Sequence, residues 1–579
     1  MPANPQNEGQ PQNRPAISLL VLTFALIVRF VNLLLLQRAP FFSFKIGDAA
    51  RYDEWANQIA AGDWIGQGVF YQAPLYPYFL GAIYSVLGND IMTVRKVQAV
   101  IGAVSCVLLM NAVWNLFNRR AGIAAGVMIA LYVPSIFLET MIQKSVLDLF
   151  FICLIVWLIS RITLNASYKC WLALGAAAGG LCLTRENALA LIPLFLLWCL
   201  FYRSRPPVEQ LGRFKARARF AAVFVTGLAV TIGPVALRNY LVGGECHITT
   251  SQLGPNFYIG NNPSANGTYQ PLRYGRGNAK YEQADAVEIA EAEMGRTLTA
   301  AEVSQFYLRK SADYIVHEPV DWLQLLGWKT LLSLNASELI DTEDQYTYQN
   351  WSPLMRALSP IANFGVLVPL AIMGIWYVRR QWHEHWILLL MIGLFQATMI
   401  MFFVFGRYRF PIVPLLICFA APLLADLCLA ARQRLTADWL RKSNNQPVKT
   451  SSQMLVGKIG ELFSKAKQHW QLCLMAVTLI AICHLPIVSL RSSQAITYNN
   501  FGVQMLMRGR LDEAEGYFRQ CLAIQPENAL AHNNLGVVYR ERQQFDQAAA
   551  HFERAISIAP DYITAWKNLG KLSKQPNQS

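Results

Sequence analysis

Charge is scarce in this chain of 579 residues: only 15% are Asp, Glu, Lys or Arg, against 54% hydrophobic residues. Together with a positive mean hydropathy, that balance argues against a large soluble enzyme and for a polytopic membrane protein. No C-x-x-C pair occurs among the 11 cysteines, which argues against a zinc ribbon or a disulfide scaffold. Most of them (Cys106, Cys153, Cys182, Cys199, Cys418, Cys428, Cys473, Cys483) sit inside apolar runs, where a thiol acts as a small hydrophobe. Histidines are few, and only His383 and His385 are close neighbours, without cysteine support. No protein metal site of zinc type is expected. No other cofactor is indicated, a divalent cation included. The polar N-terminal stretch "MPANPQNEGQPQNRP" lacks a basic n-region and a small-residue cleavage site. The first apolar run is therefore expected to be retained, behind a disordered cytoplasmic tail over 1–14. Matching halves with Gly/Pro-broken spans are also lacking, which argues against a transporter.

Long apolar runs are abundant instead. A spanning helix needs about 20 such residues, and runs of this kind lie near 15–37, 97–117, 121–138, 145–161, 170–184, 187–203, 220–238, 361–378, 386–405, 410–430 and 470–490. The expected fold is all-α: a bundle of about eleven spans. "PLYPYFLGAIYSVLG" (74–88) is shorter and bounded by proline, and reads as an interfacial or re-entrant helix. Counting spans in order puts four basic segments on one side. Segment 203–219 carries six Arg/Lys against one acid, and 432–467 carries eight against two; 118–120 and 379–385 are short and basic. That side is cytoplasmic by the positive-inside rule. Segment 240–360, with fourteen acids and eight bases, falls on the other side. The net charge of +14 is thus assigned to membrane topology, and no nucleic-acid partner is expected. The expected setting is a membrane crossed many times, with the first loop and everything after 490 on the extracytoplasmic side.

Five regions follow: the tail 1–14; a membrane domain over 15–430 with outer loops at 38–96 and 240–360; a basic cytoplasmic linker over 431–469; a last span at 470–490; and a soluble, helical region over 495–579. In the last region, 495–526 superposes on 529–560 at an offset of 34 residues. Phe501-Gly502 matches Leu535-Gly536, Phe518 matches Phe552, and Pro526 matches Pro560. A third copy starts at 563. This period and pattern resemble tetratricopeptide repeats, helix pairs that stack into a solenoid with a concave binding groove. A protein partner or acceptor is the expected occupant, and so short an array is expected to lean on the membrane domain or on a partner.

The outer loop "IGDAARYDEWANQIAAGDW" (46–64) concentrates four acids in a chain poor in charge. Asp48 lies about ten residues past the first span, at the outer interface, where a carboxylate can act as general base toward a hydroxyl. It can equally cap the helix that follows. The pattern D-x-x-R-Y (Asp48, Arg51, Tyr52), then "YQAPLYPYF", "VRKVQAVIGAVSCVLL" (94–109), "ALYVPSIFLE" (130–139) and "GRYRFPIVP" (406–414), resembles polyprenyl-phosphate-sugar-dependent glycosyltransferases. These are the GT-C-fold enzymes of glycosyltransferase family 39, which include protein O-mannosyltransferases and lipid A aminoarabinose transferases. The resemblance covers roughly 15–430. It implies an inverting transfer from a polyprenyl-phosphate-linked sugar to a protein, lipid or glycan acceptor, with Asp48 in the family's acidic position; together with the repeats it implies the outer face of a bacterial inner membrane as the setting. Some relatives carry a lysine before paired prolines after this loop; here the stretch is "QAPLYP", with Ala73. The resemblance also implies a second acid in the next outer loop.

Glu139 fits that second acid by position, with Lys144 as a phosphate contact; the alternative is a snorkelling interfacial pair. Arg407 and Arg409 lie at the outer end of their span, against the positive-inside bias. Their planar forks suit a donor phosphate. Arg185, beside Glu186, is either half of an ion pair across a turn or part of the cavity. Arg51 and Tyr52 are taken as substrate contacts. Asp53, Glu54 and Asp63 read as solvated; the acidic run "NASELIDTEDQY" (335–346) reads as a solvated face, the alternative being that Glu338, Asp341, Glu343 and Asp344 touch an acceptor or a divalent ion. The alternatives to a transferase are a non-catalytic repeat scaffold in envelope assembly and a lipid-linked glycan polymerase or ligase.

Overall fold

The computed structural model describes residues 13–201, 210–277, 279–443 and 470–572. Within them the secondary structure is helical, with no strand. The expected tail and most of the basic linker lie outside the described residues. Each of the eleven apolar runs is helical over most of its described residues. Among the described residues six helices are long and apolar enough to cross a membrane: α1 (Arg14–Leu36), α4 (Ile91–Leu116), α7 (Ser145–Leu164), the Lys215–Gly243 part of α10 (Gln210–Gly243), and the stretches Arg379–Met401 and Gly406–Gln433. A seventh forms if α5 (Arg119–Leu131) and α6 (Val133–Thr140) count as one span bent by 51°. The other four expected spans are shorter: α8 (Tyr168–Thr184), Glu186–Phe201 with α9 (Leu191–Phe201), α17 (Phe364–Tyr377) and α21 (Trp470–Cys483). At a rise of about 1.5 Å per residue, none of them alone covers a hydrocarbon core about 30 Å thick.

Between the spans lie α2 (Asp48–Ala60) and α3 (Leu75–Leu87), which pack on each other, and the outer helices α11 (Leu253–Gly260), α12 (Ala279–Met294), α13 (Ala300–His317), α14 (Pro319–Leu334), α15 (Gln345–Gln349) and α16 (Pro353–Leu358). The kink between α5 and α6 has a local cause. Tyr132 between the two helices is extended, and Pro134 stands in the first turn of α6, where its missing N–H costs no bond while its ring opposes a helix continued from α5. The backbone N–H freed at Val133 donates to Ala362 O at 3.0 Å.

Two breaks aim the site. α2 starts from Gly47, whose φ is +57° and whose Cα faces Thr342; a Cβ there would fall 2.5 Å from the threonine methyl. Only glycine fits both demands. α18 (Trp382–Met401) unwinds at Phe402, and the chain re-enters as the short turn α19 (Gly406–Arg409) before α20 (Val413–Ser443). In that gap Val404 N donates to Gly267 O at 2.9 Å and Gly406 N to Leu339 O at 3.0 Å. The bare backbone is thereby satisfied by the outer loops.

The C-terminal region forms α22 (Leu490–Met507), α23 (Leu511–Ile524), α24 (Ala529–Glu541), α25 (Phe545–Ile558) and α26 (Ile563–Leu572). The expected repeat is visible in its packing. A methyl at Gly502 would lie 2.5 Å from the Phe518 ring, and one at Gly536 2.6 Å from Phe552. The same glycine admits the same phenylalanine one period later.

Candidate functional site

Asp48 opens α2, yet no side-chain cap bond holds that helix start. Its carboxylate turns across the protein: Oδ2 accepts from Arg407 Nη1 at 2.6 Å, and Oδ1 from Gln72 Nε2 at 3.3 Å. The same Arg407 nitrogen lies 2.9 Å from Asp341 Oδ2. One arginine thus stands between two carboxylates from distant parts of the chain. Burial alone pushes the Asp48 carboxyl up, but Arg407, with help from Lys144, outweighs it and holds the group below the usual carboxylate range. Asp341 goes the other way. Burial, with repulsion from Asp48, raises it more than Arg407 lowers it.

These three side chains line a cavity of about 660 Å³ together with Tyr52, Lys144, Tyr269 and Glu282. Glu282, on α12, accepts from Tyr71 Oη at 3.1 Å. Burial, reinforced by the Asp48 charge, pushes it up to about 7. Lys144 also lines a second, more apolar cavity of about 1420 Å³, shared with Tyr408 and Phe403 and walled by Ile248, Leu253, Met399 and Phe402. The cation sits where the polar and apolar spaces meet, with Glu186 Oε2 at 3.8 Å. On the other flank, an open groove of about 1840 Å³ runs past Arg51, Trp55, Phe70 and Tyr71 and meets the cavity at Gln72.

Asp48, Tyr52, Lys144 and Arg407 therefore come together. Arg51 faces the open groove, 5.7 Å from the centre of the Tyr71 ring. Arg185 lines the apolar cavity but is committed: Nη2 lies 2.8 Å from Asp148 Oδ2 and also donates to Arg407 O at 3.0 Å. It props the turn that carries Arg407. Arg409 is almost fully buried; it pairs with Glu338 Oε2 at 2.6 Å and lies over the Phe364 ring, away from the cavity lining. Glu139 is also elsewhere. It forms a fork with Arg29 of α1, at 2.6 and 2.8 Å, and accepts from Ser135 Oγ at 2.6 Å. An arginine inside an apolar span calls for such a buried partner.

Asp341 and Glu282 are cavity residues that the sequence reading left as solvated or unremarked. The acidic run 335–346 is not a solvated face: Glu343 and Asp344 are buried, Asp341 pairs with Arg407 and Glu338 with Arg409. The signal available was the coincidence of that run with outer arginines that themselves needed partners.

Residues 71–231 match the family model described as dolichyl-phosphate-mannose-protein mannosyltransferase, and residues 493–561 match a tetratricopeptide repeat model. A sequence comparison with curated proteins returns no match. Among solved structures, the chain is similar to the oligosaccharyltransferase AglB of Archaeoglobus fulgidus in complex with an inhibitory peptide and a dolichol-phosphate. The identity is 14% and the TM-score 0.42, over 86% of this chain and 59% of that one. It is also similar to ArnT of Cupriavidus metallidurans bound to undecaprenyl phosphate, with 14% identity and a TM-score of 0.34, over 70% of this chain and 76% of that one. The chain spans less than two thirds of the length of the oligosaccharyltransferase chains it resembles.

Proposed function

We propose that this protein is an integral-membrane glycosyltransferase that moves a sugar from a polyprenyl-phosphate carrier to an acceptor at the extracytoplasmic face of a bacterial inner membrane. The observation that carries the reading is the meeting of two spaces at Lys144: an apolar cavity suited to a lipid tail, and a polar one holding Asp48, Asp341 and Arg407. The family-model match, which starts at Tyr71 beside the cavity and includes Lys144 and Arg185, supports the same reading. The orientation rests on the charge asymmetry of the loops.

The chemistry follows from the groups present. A sugar held at the junction puts its phosphate near Lys144 and Arg407, whose charges stabilise the phosphate as it leaves. Asp48 accepts a hydrogen bond from the acceptor hydroxyl. The acceptor oxygen bonds to the anomeric carbon from the face opposite the phosphate, the carbon–oxygen bond to the phosphate breaks, and the hydroxyl proton passes to the carboxylate. The outcome is inversion. A carboxylate held below its usual range is a weak base, so Asp48 acts mainly by orienting the hydroxyl and takes the proton late, as charge is lost from the nucleophile. The acceptor approaches along the groove past Arg51 and Trp55, and the repeats provide a surface for a protein partner or acceptor.

The test is direct. Purified protein in lipid nanodiscs is incubated with a panel of undecaprenyl-phosphate sugars and an envelope extract, and loss of each donor is followed by mass spectrometry. One donor is expected to be consumed. Loss of none, from correctly folded protein, assigns the chain to the scaffold class.

A further inference from the structure

The repeat domain is packed onto the cavity, and the contacts fall on the segment that carries Asp341. One apolar cluster runs from the membrane helices through Phe41 and Phe44 into Phe501, Met505 and Phe518 of the repeats. Phe501 stacks on Phe41 at 4.6 Å, and Phe41 meets Tyr348 at 4.5 Å. At the edge of this contact Arg508 lies 4.6 Å over Phe44 and donates to Ser43 Oγ at 3.1 Å.

Two polar contacts are more pointed. Residues 339–344 form neither helix nor strand, so their backbone groups need partners from elsewhere. Asn500 Nδ2 donates to Thr342 O at 2.7 Å, and Asp344 N donates to Thr497 Oγ1 at 3.2 Å. Thr497 is fully buried. Both donors and acceptors from the repeat side lie on α22, one turn apart. Of the two residues they hold, Thr342 packs on Gly47, the residue that launches Asp48, and both Thr342 and Gly47 line the cavity. Asp341 is next in the chain and meets Arg407. A second contact, Tyr562 on Tyr274 at 5.3 Å, falls on the loop between Tyr269 and Gly277, which also line the cavity.

We infer that the repeat domain positions the candidate active site: Thr497 and Asn500 of α22 clamp residues 342–344, keep Asp341 on Arg407, and so hold Asp48 in its place across the cavity. This deepens the transferase reading and rests on it. The repeats are then a fixed wall of the cavity rather than a tethered arm, and whatever occupies their groove acts through the same segment. Thr497 and Asn500 are positioning residues, since neither lines the cavity.

The experiment uses the full chain in nanodiscs, with Thr497→Val and Asn500→Ala combined, and Thr497→Ser as the conservative control that keeps the hydroxyl. Hydrogen exchange is read over 338–346, and donor consumption is measured with the undecaprenyl-phosphate sugar that the wild type consumes. The double variant is expected to exchange faster at residues 342–344. Its maximal rate should fall about 10-fold, the scale set by sub-ångström misplacement of reacting groups, with the donor KM unchanged and the melting temperature within a few degrees. Thr497→Ser should keep both readings at the wild-type level. Unchanged exchange overturns the clamp. Faster exchange with an unchanged rate overturns the positioning role. Failure of the transferase reading is separable: it would appear as an Asp48→Asn variant that still turns over, whereas the exchange result needs no turnover.

Discussion

Arg407 is asked to satisfy two carboxylates at once, and the charge around it is negative on balance once Glu282 ionises. Low local dielectric makes each of these terms large, so the acids part company: Asp48 is held ionised, while burial raises Asp341 and Glu282. A pH dependence follows. Glu282 titrates near 7 when folded, against an ordinary value of 4.5. Its contribution to stability is therefore present below about 4.5 and is lost as pH rises through 7. Glu282→Gln keeps an acceptor for Tyr71 but removes the ionisation. The variant is expected to melt higher than wild type at pH 8 and to lose that advantage at pH 5, as read by thermal unfolding in nanodiscs. An equal difference at both pH values contradicts the assignment.

At this scale the sequence was informative where a residue type was out of place. Asp48 in a chain poor in acids and Arg407 on the outer face both drew notice and both reach the cavity. Glu282 and Asp341 did not, because an acid on an amphipathic helix or in an acidic loop looks the same whether water or protein covers it. Glu139 shows the opposite limit: it is paired with Arg29 and lies away from the cavity lining. It looked available after an apolar run because its partner, Arg29, lies 110 residues away on α1.

Helices were the legible level, because hydropathy over about 20 residues reports burial in lipid without reference to neighbours. Their lengths and breaks were less so. The expected third span is two helices meeting near Pro134, and in the outer segment α12 and α13 are parted at Gly295 with φ +69°, the second restarting on a capping box of Thr299 and Glu302. How helices approach one another is set by small residues. α8 and α10 cross through a reciprocal pair: a Cβ at Gly175 would lie 2.0 Å from Phe224 O, and one at Gly227 2.1 Å from Leu172 O. With backbone on both sides, nothing can yield without moving a helix. Gly175→Val is expected to cost about 1–3 kcal/mol or more by overpacking, lowering the yield of folded protein in size-exclusion chromatography. A variant with wild-type yield and melting temperature would mean that the crossing is looser than this geometry.

On the scale of the whole molecule, charge asymmetry between loops orients the chain and the 34-residue period identifies the repeats, and both are one-dimensional patterns. Docking of the repeats is not. Phe501 occupies a repeat position and reads as repeat core, yet the same ring stacks on Phe41 of the membrane domain. Nor does any local signal join Asp48 to Arg407, which are 359 residues apart. The cavity exists only where the first outer loop, the acidic segment and the turn before the last long span are folded together, which is why its core pair was nameable and its geometry was not.

The central claim is that Asp48 does chemistry at the outer membrane face. The most direct measurement is a comparison of wild type and Asp48→Asn on the donor sugar that the wild type consumes, with binding of undecaprenyl phosphate measured alongside. Asparagine keeps the shape and removes the charge. The account predicts donor consumption reduced by about 100-fold or more, in the range seen for loss of a positioned acid–base group, with lipid-phosphate binding retained. Wild-type consumption by folded Asp48→Asn protein would contradict it.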